Sequence, residues 1–276
     1  MMTGPVLKSE SEKVKFVDDG TVAVTVNLKT CLVPERTGHI LPEENNLLQL
    51  YINDTEQFVS ENLMVINKDK TKVISFSKSR KWAFPPELHF SDGTPLDTIS
   101  DTRLVGVVVS QDLRWFKNTA YICQKARTKL WMLRRMLNLN LTIYEMFDVY
   151  TKEIRSLLEM AVPVWNSGLT NQQIHDIESI QKVAMQIILQ DKYSNYQLAC
   201  QLFSAQTLAD RRTKLCSKFA SKNLKSENSF FTKVGTNVET RQKSDLVKEY
   251  KCNFGRFYKS SLPYLARLIN TNNRLK

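Results

Sequence analysis

Two adjacent carboxylates, Asp18 and Asp19, are the residues of this sequence whose type and position first indicate chemistry. They stand between two runs of β-forming apolar residues, and Asp-Gly is typical of a tight turn, so we expect a hairpin over residues 16–26 with both carboxylates at its bend. Carboxylate oxygens bind hard divalent ions, and in two-metal sites such ions stabilise the attacking and leaving oxygens of a phosphoryl transfer. The alternative interpretation is a solvated hairpin tip without metal.

The composition is that of a basic globular protein. Hydrophobic residues make up 42% of the 276 residues, and the formal net charge is +11. Clustered Lys and Arg gain affinity for phosphates by releasing condensed counterions, so this charge favours a polyanionic partner.

Cysteine spacing and hydropathy exclude other classes. The five cysteines are far apart and form no Cys-x-x-Cys pair, which argues against a disulfide framework and a zinc site. No apolar run reaches membrane-spanning length, and residues 1–13 lack the apolar centre of a signal peptide. We therefore expect a cytoplasmic or nuclear protein without a membrane partner.

Short strands and one helix are predicted after the hairpin. The helix begins at Pro42, a residue suited to a first helical turn. A polar turn that includes Lys70 then leads into an alternating strand at 72–76. Residues 103–110 predict a single apolar strand, in which Gly106 lets another backbone come close.

Residues 113–144 carry the most one-sided charge of the chain. Trp131, Met132, Met136 and Leu137 predict the apolar side of a helix there. Such a helix can lie against a nucleic-acid backbone, with charge supplying affinity and little sequence preference. A solvated basic face is the alternative. The cations occur with no acidic residue between them: Arg114, Lys117, Lys125, Arg127, Lys129, Arg134 and Arg135.

The rest of the chain predicts helices with apolar stripes that form a core. Residues 221–251 are polar and rich in Lys, Ser and Asn, which predicts a loosely ordered stretch. The expected fold class is α+β, with strands and a helix first and helices afterwards.

The order of these features resembles the reverse transcriptases of non-LTR (LINE-type) retrotransposons from the middle of the palm domain onward. Residues 16–19 resemble polymerase motif C, 67–72 with the following strand resemble motif D, and 104–107 resemble motif E. The basic helix lies where the family has its thumb. The region after the thumb is matched by 154–159, 162–165, 177–182 and 208–212, so the resemblance covers residues 14–224.

The resemblance implies a fold and roles for particular residues. Residues 1–112 would be a partial palm, 113–160 a thumb-like region and 161–276 a helical C-terminal region. Asp18 and Asp19 would help to hold catalytic Mg²⁺, with Asp18 the more direct ligand. Lys70 would approach the pyrophosphate leaving group as an acid, and Gly106 would lie near the primer end. The partners would be an RNA template and a DNA primer, or an RNA–DNA hybrid.

The sequence also departs from the family. Before motif C, family members carry another catalytic aspartate, a nucleotide-binding segment and the fingers domain. In this sequence thirteen residues precede Val14. Catalytic groups act as a unit, so we expect a fragment of an RNA-directed DNA polymerase that is inactive alone. A noncatalytic RNA- or DNA-binding protein derived from a retroelement is the alternative, and a helical scaffold without a nucleic-acid role is a third interpretation.

Residues 104–150 also resemble a short domain named after the N-terminus of the eighth AlkB homologue, a tRNA-modifying oxygenase and methyltransferase. A ferrous oxygenase needs a His-x-Asp pair with a distant histidine, and none of His39, His89 and His175 begins that pattern. No glycine-rich cofactor loop follows a strand either. The sequence therefore supports neither chemistry.

Overall fold

The computed structural model describes residues 11–16, 19–24, 42–76, 88–226, 229–232, 246–252 and 255–274. The fold is α+β, with short strands mainly in the first part of the chain and helices in the second. The chain divides into two compact units, residues 1–102 and 103–276.

The first unit begins with an antiparallel hairpin of β1 (Ser11–Phe16) and β2 (Asp19–Val24). Phe16 pairs with Asp19, so Asp19 and Gly20 continue the ladder and do not form the turn that their dipeptide predicts. Residues 17 and 18, which separate the two strands in the sequence, lie outside the described part of the chain.

A helix, α1 (Pro42–Glu61), follows and begins at the proline, as the sequence predicts. The side chain of Tyr51 in this helix is buried. Gln49 bonds both backbone groups of His89: its Nε2 donates to the carbonyl at 2.6 Å, and its Oε1 accepts from the amide at 3.0 Å. These bonds join the helix to the segment that contains the buried residues Leu88 and Phe90.

Two very short strands complete this unit. β3 (Lys72–Val73) pairs in parallel with β4 (Asp97–Thr98), so the predicted strand at 72–76 is shorter than expected. The Leu88–Phe90 segment forms a single bridge, between His89 and Pro95.

The predicted single strand at 103–110 is wrong. β5 (Asp101–Leu104) and β6 (Val107–Ser110) form a two-stranded sheet connected by Val105 and Gly106. Both connecting residues have positive φ, 44° and 85°, as a type I′ hairpin turn requires. The sequence did not predict this turn because residues 104–109 are apolar apart from Gly106, and Gly106 is the one turn-forming residue among them.

Helices form the rest of the second unit. Thr142 and Thr170 cap two of them, each in a reciprocal arrangement with a Glu or Gln three residues later. A π-helical turn at Tyr150–Arg155 connects two of the helices. The helices are α2 (Phe116–Met136), α3 (Ile143–Val149), α4 (Ser156–Glu159), α5 (Val162–Trp165), α6 (Asn171–Leu189), α7 (Tyr196–Leu202), α8 (Leu208–Leu224), α9 (Gly255–Tyr258) and α10 (Ser261–Arg274).

A main apolar core holds most of these helices together, and a smaller cluster of Met185, Leu189 and Ala199 packs α7 against α6. The fully buried members of the main core include Tyr150, Ile154, Trp165, Ile177 and Ile180. A polar link also crosses the core, since the hydroxyl of Tyr150 donates to Gln181 Oε1 at 2.7 Å. α2 and α6 lie side by side and form the centre of the unit.

The polar stretch at 221–251 is partly described. Leu224 ends α8, and Phe231 and Val247 are buried in the core. Asn270 of α10 fixes Val247 by bonding its amide at 2.8 Å and its carbonyl at 3.0 Å. The middle of the stretch, residues 233–245, lies outside the described residues, and with it the expectation of loose order. Among the helices that the structure describes, none has the length and apolarity needed to cross a membrane.

Candidate nucleic-acid interface

The hairpin tip is described in part. Asp19 is the first residue of β2, and its backbone is opposite that of Phe16. Asp18 lies outside the described residues.

Lys70 lies in an exposed turn whose shape is set by Asn67. The amide of Lys70 donates to the side-chain oxygen of Asn67 at 3.1 Å and to its carbonyl at 3.2 Å. The neighbouring lysines form ion pairs, Lys68 with Asp92 and Lys72 with Asp97. The hydrogen bond from Lys68 holds the pKa of Asp92 well below its usual range. Among the described residues, no carboxylate lies within 4.0 Å of the Lys70 ammonium.

α2 is the element that positions the predicted basic surface. Ile122, Ala126, Leu130 and Leu133 are buried on one side of the helix, at helical spacing. Trp131 is 59% exposed, so its predicted place on the apolar side is wrong. Successive helical residues differ by about 100° around the axis, and Trp131 is therefore turned well away from buried Leu130.

The outer side of α2 carries exposed cations, which we call the α2 cation face. Its position follows from the burial of the opposite side against α6 and β6. Neither α2 nor the residues from 113 to its start contain an acidic side chain. The face comprises Lys117, Lys125, Arg127, Arg134 and Arg135.

Two other predicted cations lie differently. Lys129 is at the edge of α2 and forms an ion pair with Glu153, its Nζ 2.5 Å from the carboxylate. Arg114 precedes the helix and is exposed, and its amide donates to Asp112 Oδ1 at 3.1 Å. Lys129 therefore contributes less uncompensated charge than the members of the face.

A cavity of about 230 Å³ opens beside α2 and contains one end of the face. Gly106 and Lys125 both line it, so the structure brings together two of the residues predicted to bind nucleic acid. Arg103 and Tyr121 also line it and were not identified from the sequence. The Tyr121–Lys125 spacing of four residues on a helix was the available signal, whereas nothing in the sequence places Arg103 beside them.

The two cations of the cavity enclose the phenol of Tyr121. Arg103 Nη1 donates to the Tyr121 hydroxyl at 2.8 Å, and Lys125 Nζ lies 4.7 Å from the ring centroid. The Lys125 ammonium is the main cause of a lowered pKa of Tyr121, and the Arg103 guanidinium adds a smaller effect in the same direction. Positive charge next to an aromatic ring suits a phosphate with an adjoining base or sugar.

Gly106 permits this close arrangement. A Cβ on Gly106 would lie 2.9 Å from Cε of Met160, which lines the same cavity. The site contains cations, an aromatic ring and a turn, which together can bind an anion. In the described part of the chain, no group of three or more His, Cys, Asp and Glu side chains is placed to hold a metal ion.

Fold and surface together define an α+β protein with a basic helical face. Comparison with protein-family models gave no match, and comparisons with curated proteins and with solved structures also gave none.

Proposed function

We propose that this chain is part of the RNA-directed DNA polymerase of a non-LTR retrotransposon and that it binds nucleic acid through the α2 cation face. The observation that carries the binding proposal is the face itself: Lys125, Arg127, Arg134 and Arg135 are exposed on a helix without acidic side chains. Within the described residues, none of these four has a carboxylate in salt-bridge distance. Their charge is available to neutralise phosphates.

The assignment to a polymerase is supported by the order of the elements. A hairpin at the aspartate pair, an exposed lysine turn, a glycine turn and a basic helix follow one another as the family resemblance implies. Carboxylates and Mg²⁺ are chemically matched, so Asp18 and Asp19 are the residues that would hold the ion. When bound, Mg²⁺ would stabilise the charge that develops on the phosphates, and Lys70 would supply a proton to the leaving pyrophosphate.

The 276-residue polypeptide by itself is proposed to be inactive as a polymerase. A two-metal site needs ligands on both ions, and one carboxylate pair supplies only part of that set. Primer extension on an RNA template, with Mg²⁺ or Mn²⁺, is expected to show no incorporation that depends on Asp18. Incorporation by the purified chain that Asp18→Asn abolishes would refute the proposed inactivity.

Salt-dependent binding tests the interface. The test variant replaces Lys125, Arg127, Arg134 and Arg135 with Gln, which retains helix propensity and removes four charges. If each cation neutralises one phosphate, the slope of log affinity against log salt becomes less steep by about 3.6. Fluorescence anisotropy with a labelled RNA–DNA hybrid measures this slope.

A matched control removes four exposed cations from other parts of the same unit. Lys192, Lys214, Lys218 and Lys222 are exposed and lie outside α2, and their replacement with Gln gives the same change in net charge. The control is expected to keep a slope close to that of the wild type. Equal loss of slope in both variants would show that binding follows net charge rather than the α2 cation face.

A further inference from the structure

Trp131 is the exposed aromatic residue in the middle of the α2 cation face. Its side chain is 59% exposed, whereas Trp165 is fully buried. Trp115 is half-buried against Gly168, where an added Cβ would lie 2.7 Å from its ring. Single exposed aromatic residues are common on protein surfaces, so the exposure of Trp131 gains meaning only from its surroundings.

Those surroundings are cationic. Arg135 lies one helical turn after Trp131, and its guanidinium carbon is 4.7 Å from the ring centroid. Arg127 lies one turn before, and Arg134 is three residues after, so cations flank the indole along the helix. Among the described residues, no other aromatic ring contacts Trp131. The indole is therefore oriented on one side by Arg135 and accessible from solvent.

We propose that Trp131 is a stacking platform for an unpaired base, and that the α2 cation face consequently prefers single-stranded to fully duplex nucleic acid. This inference rests on the proposed function, because the flanking cations must hold the phosphates on either side of the base. In a duplex the base faces are covered by their neighbours, and an indole on a helix surface reaches them only by unstacking the pair. In a single strand the faces are accessible, and base–aromatic stacking adds to the charge contribution without requiring a particular base.

An anionic membrane surface is the other partner that combines cations with a tryptophan. Helices that bind such surfaces insert a wide apolar face into the headgroup region. The apolar face of α2 is instead buried in the core of its own unit, and among the described residues no aromatic ring contacts Trp131. The charge and geometry therefore favour a nucleic-acid strand as the occupant.

The test compares two probes and three variants of the full chain. The probes are a 20-nucleotide single-stranded RNA without self-complementarity and the blunt duplex of the same sequence, with affinity followed by anisotropy over a range of salt concentrations. Trp131→Leu removes the ring and keeps an apolar side chain, and Trp131→Phe keeps a smaller ring. Tyr144→Leu is the matched control, because Tyr144 is 61% exposed and lies outside α2.

The expected result is a selective loss. Trp131→Leu lowers affinity for the single strand roughly tenfold, as expected for removal of one stacking contact. Affinity for the duplex and the salt slope stay unchanged, Trp131→Phe recovers part of the loss, and Tyr144→Leu behaves as the wild type. Because Trp131 is exposed, thermal unfolding of both Trp131 variants should be nearly the same as that of the wild type.

Three other results would overturn the inference. If Trp131→Leu binds both probes as the wild type does, or weakens both equally, Trp131 is not a stacking platform. If vesicles of anionic phospholipid bind in a Trp131-dependent way and neither probe does, the occupant is a membrane. If salt-dependent binding to both probes is absent even in the wild type, the proposed function fails as well, so the two failures are distinguishable.

Discussion

The turn between β5 and β6 gives a prediction in which two adjacent substitutions act in opposite directions. Gly106 has φ 85° and lies in the left-handed region, which costs a residue with a Cβ roughly 1–2 kcal/mol. Gly106→Ala should therefore lower the free energy of unfolding by about 1–2 kcal/mol. The new Cβ would also lie 2.9 Å from Cε of Met160, but that atom ends a flexible side chain and can move aside. Backbone strain is the larger contribution.

Val105 has the same kind of backbone strain in the wild-type protein, because its φ is also positive. Its φ is 44°, a conformation that β-branched residues rarely adopt, and its side chain is 75% exposed. Replacement with Asn removes little packing and creates Asn-Gly, the pair most suited to a type I′ turn. Val105→Asn should therefore raise the free energy of unfolding by about 0.5–1 kcal/mol.

Denaturation by urea distinguishes this turn from the strand that the sequence predicts. The midpoint should move down for Gly106→Ala and up for Val105→Asn, with the slope m unchanged in both. In an extended strand the signs would be reversed, because Asn is a poor strand former and glycine weakens a strand. Stabilisation by Gly106→Ala together with destabilisation by Val105→Asn would refute the turn.

Two further predictions concern buried charge and buried thiols. Glu159 accepts a hydrogen bond from Arg211 Nη2 at 2.9 Å and lies 3.7 Å from Arg155. Glu159→Gln leaves two half-buried guanidinium groups together, so it should lower the free energy of unfolding by about 2–3 kcal/mol in urea denaturation. An unchanged free energy of unfolding would contradict the ion cluster. Burial raises the pKa of the Cys123 and Cys216 thiols to about 11. The unfolded chain loses these protons at a lower pH than the folded protein does. The contribution of each buried thiol to the free energy of unfolding is therefore complete below about pH 8.5 and is lost as pH rises towards 11, by up to roughly 3 kcal/mol for each thiol. Cys→Ala at both positions should flatten that fall in a series of denaturation curves.

Local signals in the sequence predicted the beginnings of helices well. Pro42 begins α1 as predicted, because a proline in the first turn has no amide to leave unpaired. Such effects depend on neighbouring residues only. A hairpin beside the aspartate pair was also predicted from local signals, but over residues 16–26, whereas the paired strands are residues 11–16 and 19–24 and Asp19-Gly20 continues the ladder.

Features that depend on the precise rotation of a helix were predicted less well. Trp131 and Leu130 are adjacent in sequence, and a shift of one residue in the apolar pattern exchanges the buried one with the exposed one. The sequence contains apolar residues at both positions, so periodicity alone did not decide between them. Packing of Leu130 and Leu133 in the core of the unit did.

The cavity was beyond sequence reasoning because it joins three separate elements. Arg103 contacts Tyr121, which is eighteen positions later in the sequence. This contact forms only because the chain reverses at Gly106 between β5 and β6, and β6 packs along α2. In one extended strand, Arg103 would lie on the same face as Val107 but about 13 Å away along the strand. The turn and the cavity were therefore missed together.

The distribution of carboxylates explains why α2 keeps an uncompensated positive face. Acidic groups of the second unit are engaged elsewhere: Glu159 with two arginines, and Glu178 with the amides that begin α8, at 3.0 and 3.2 Å. Glu153 reaches α2 only at its edge, through Lys129. Lys129→Gln should consequently change the salt dependence of nucleic-acid binding less than Arg127→Gln, although each removes one charge from the same helix. An equal effect would mean that the Glu153 pair opens on binding and that Lys129 belongs to the interface as fully as Arg127.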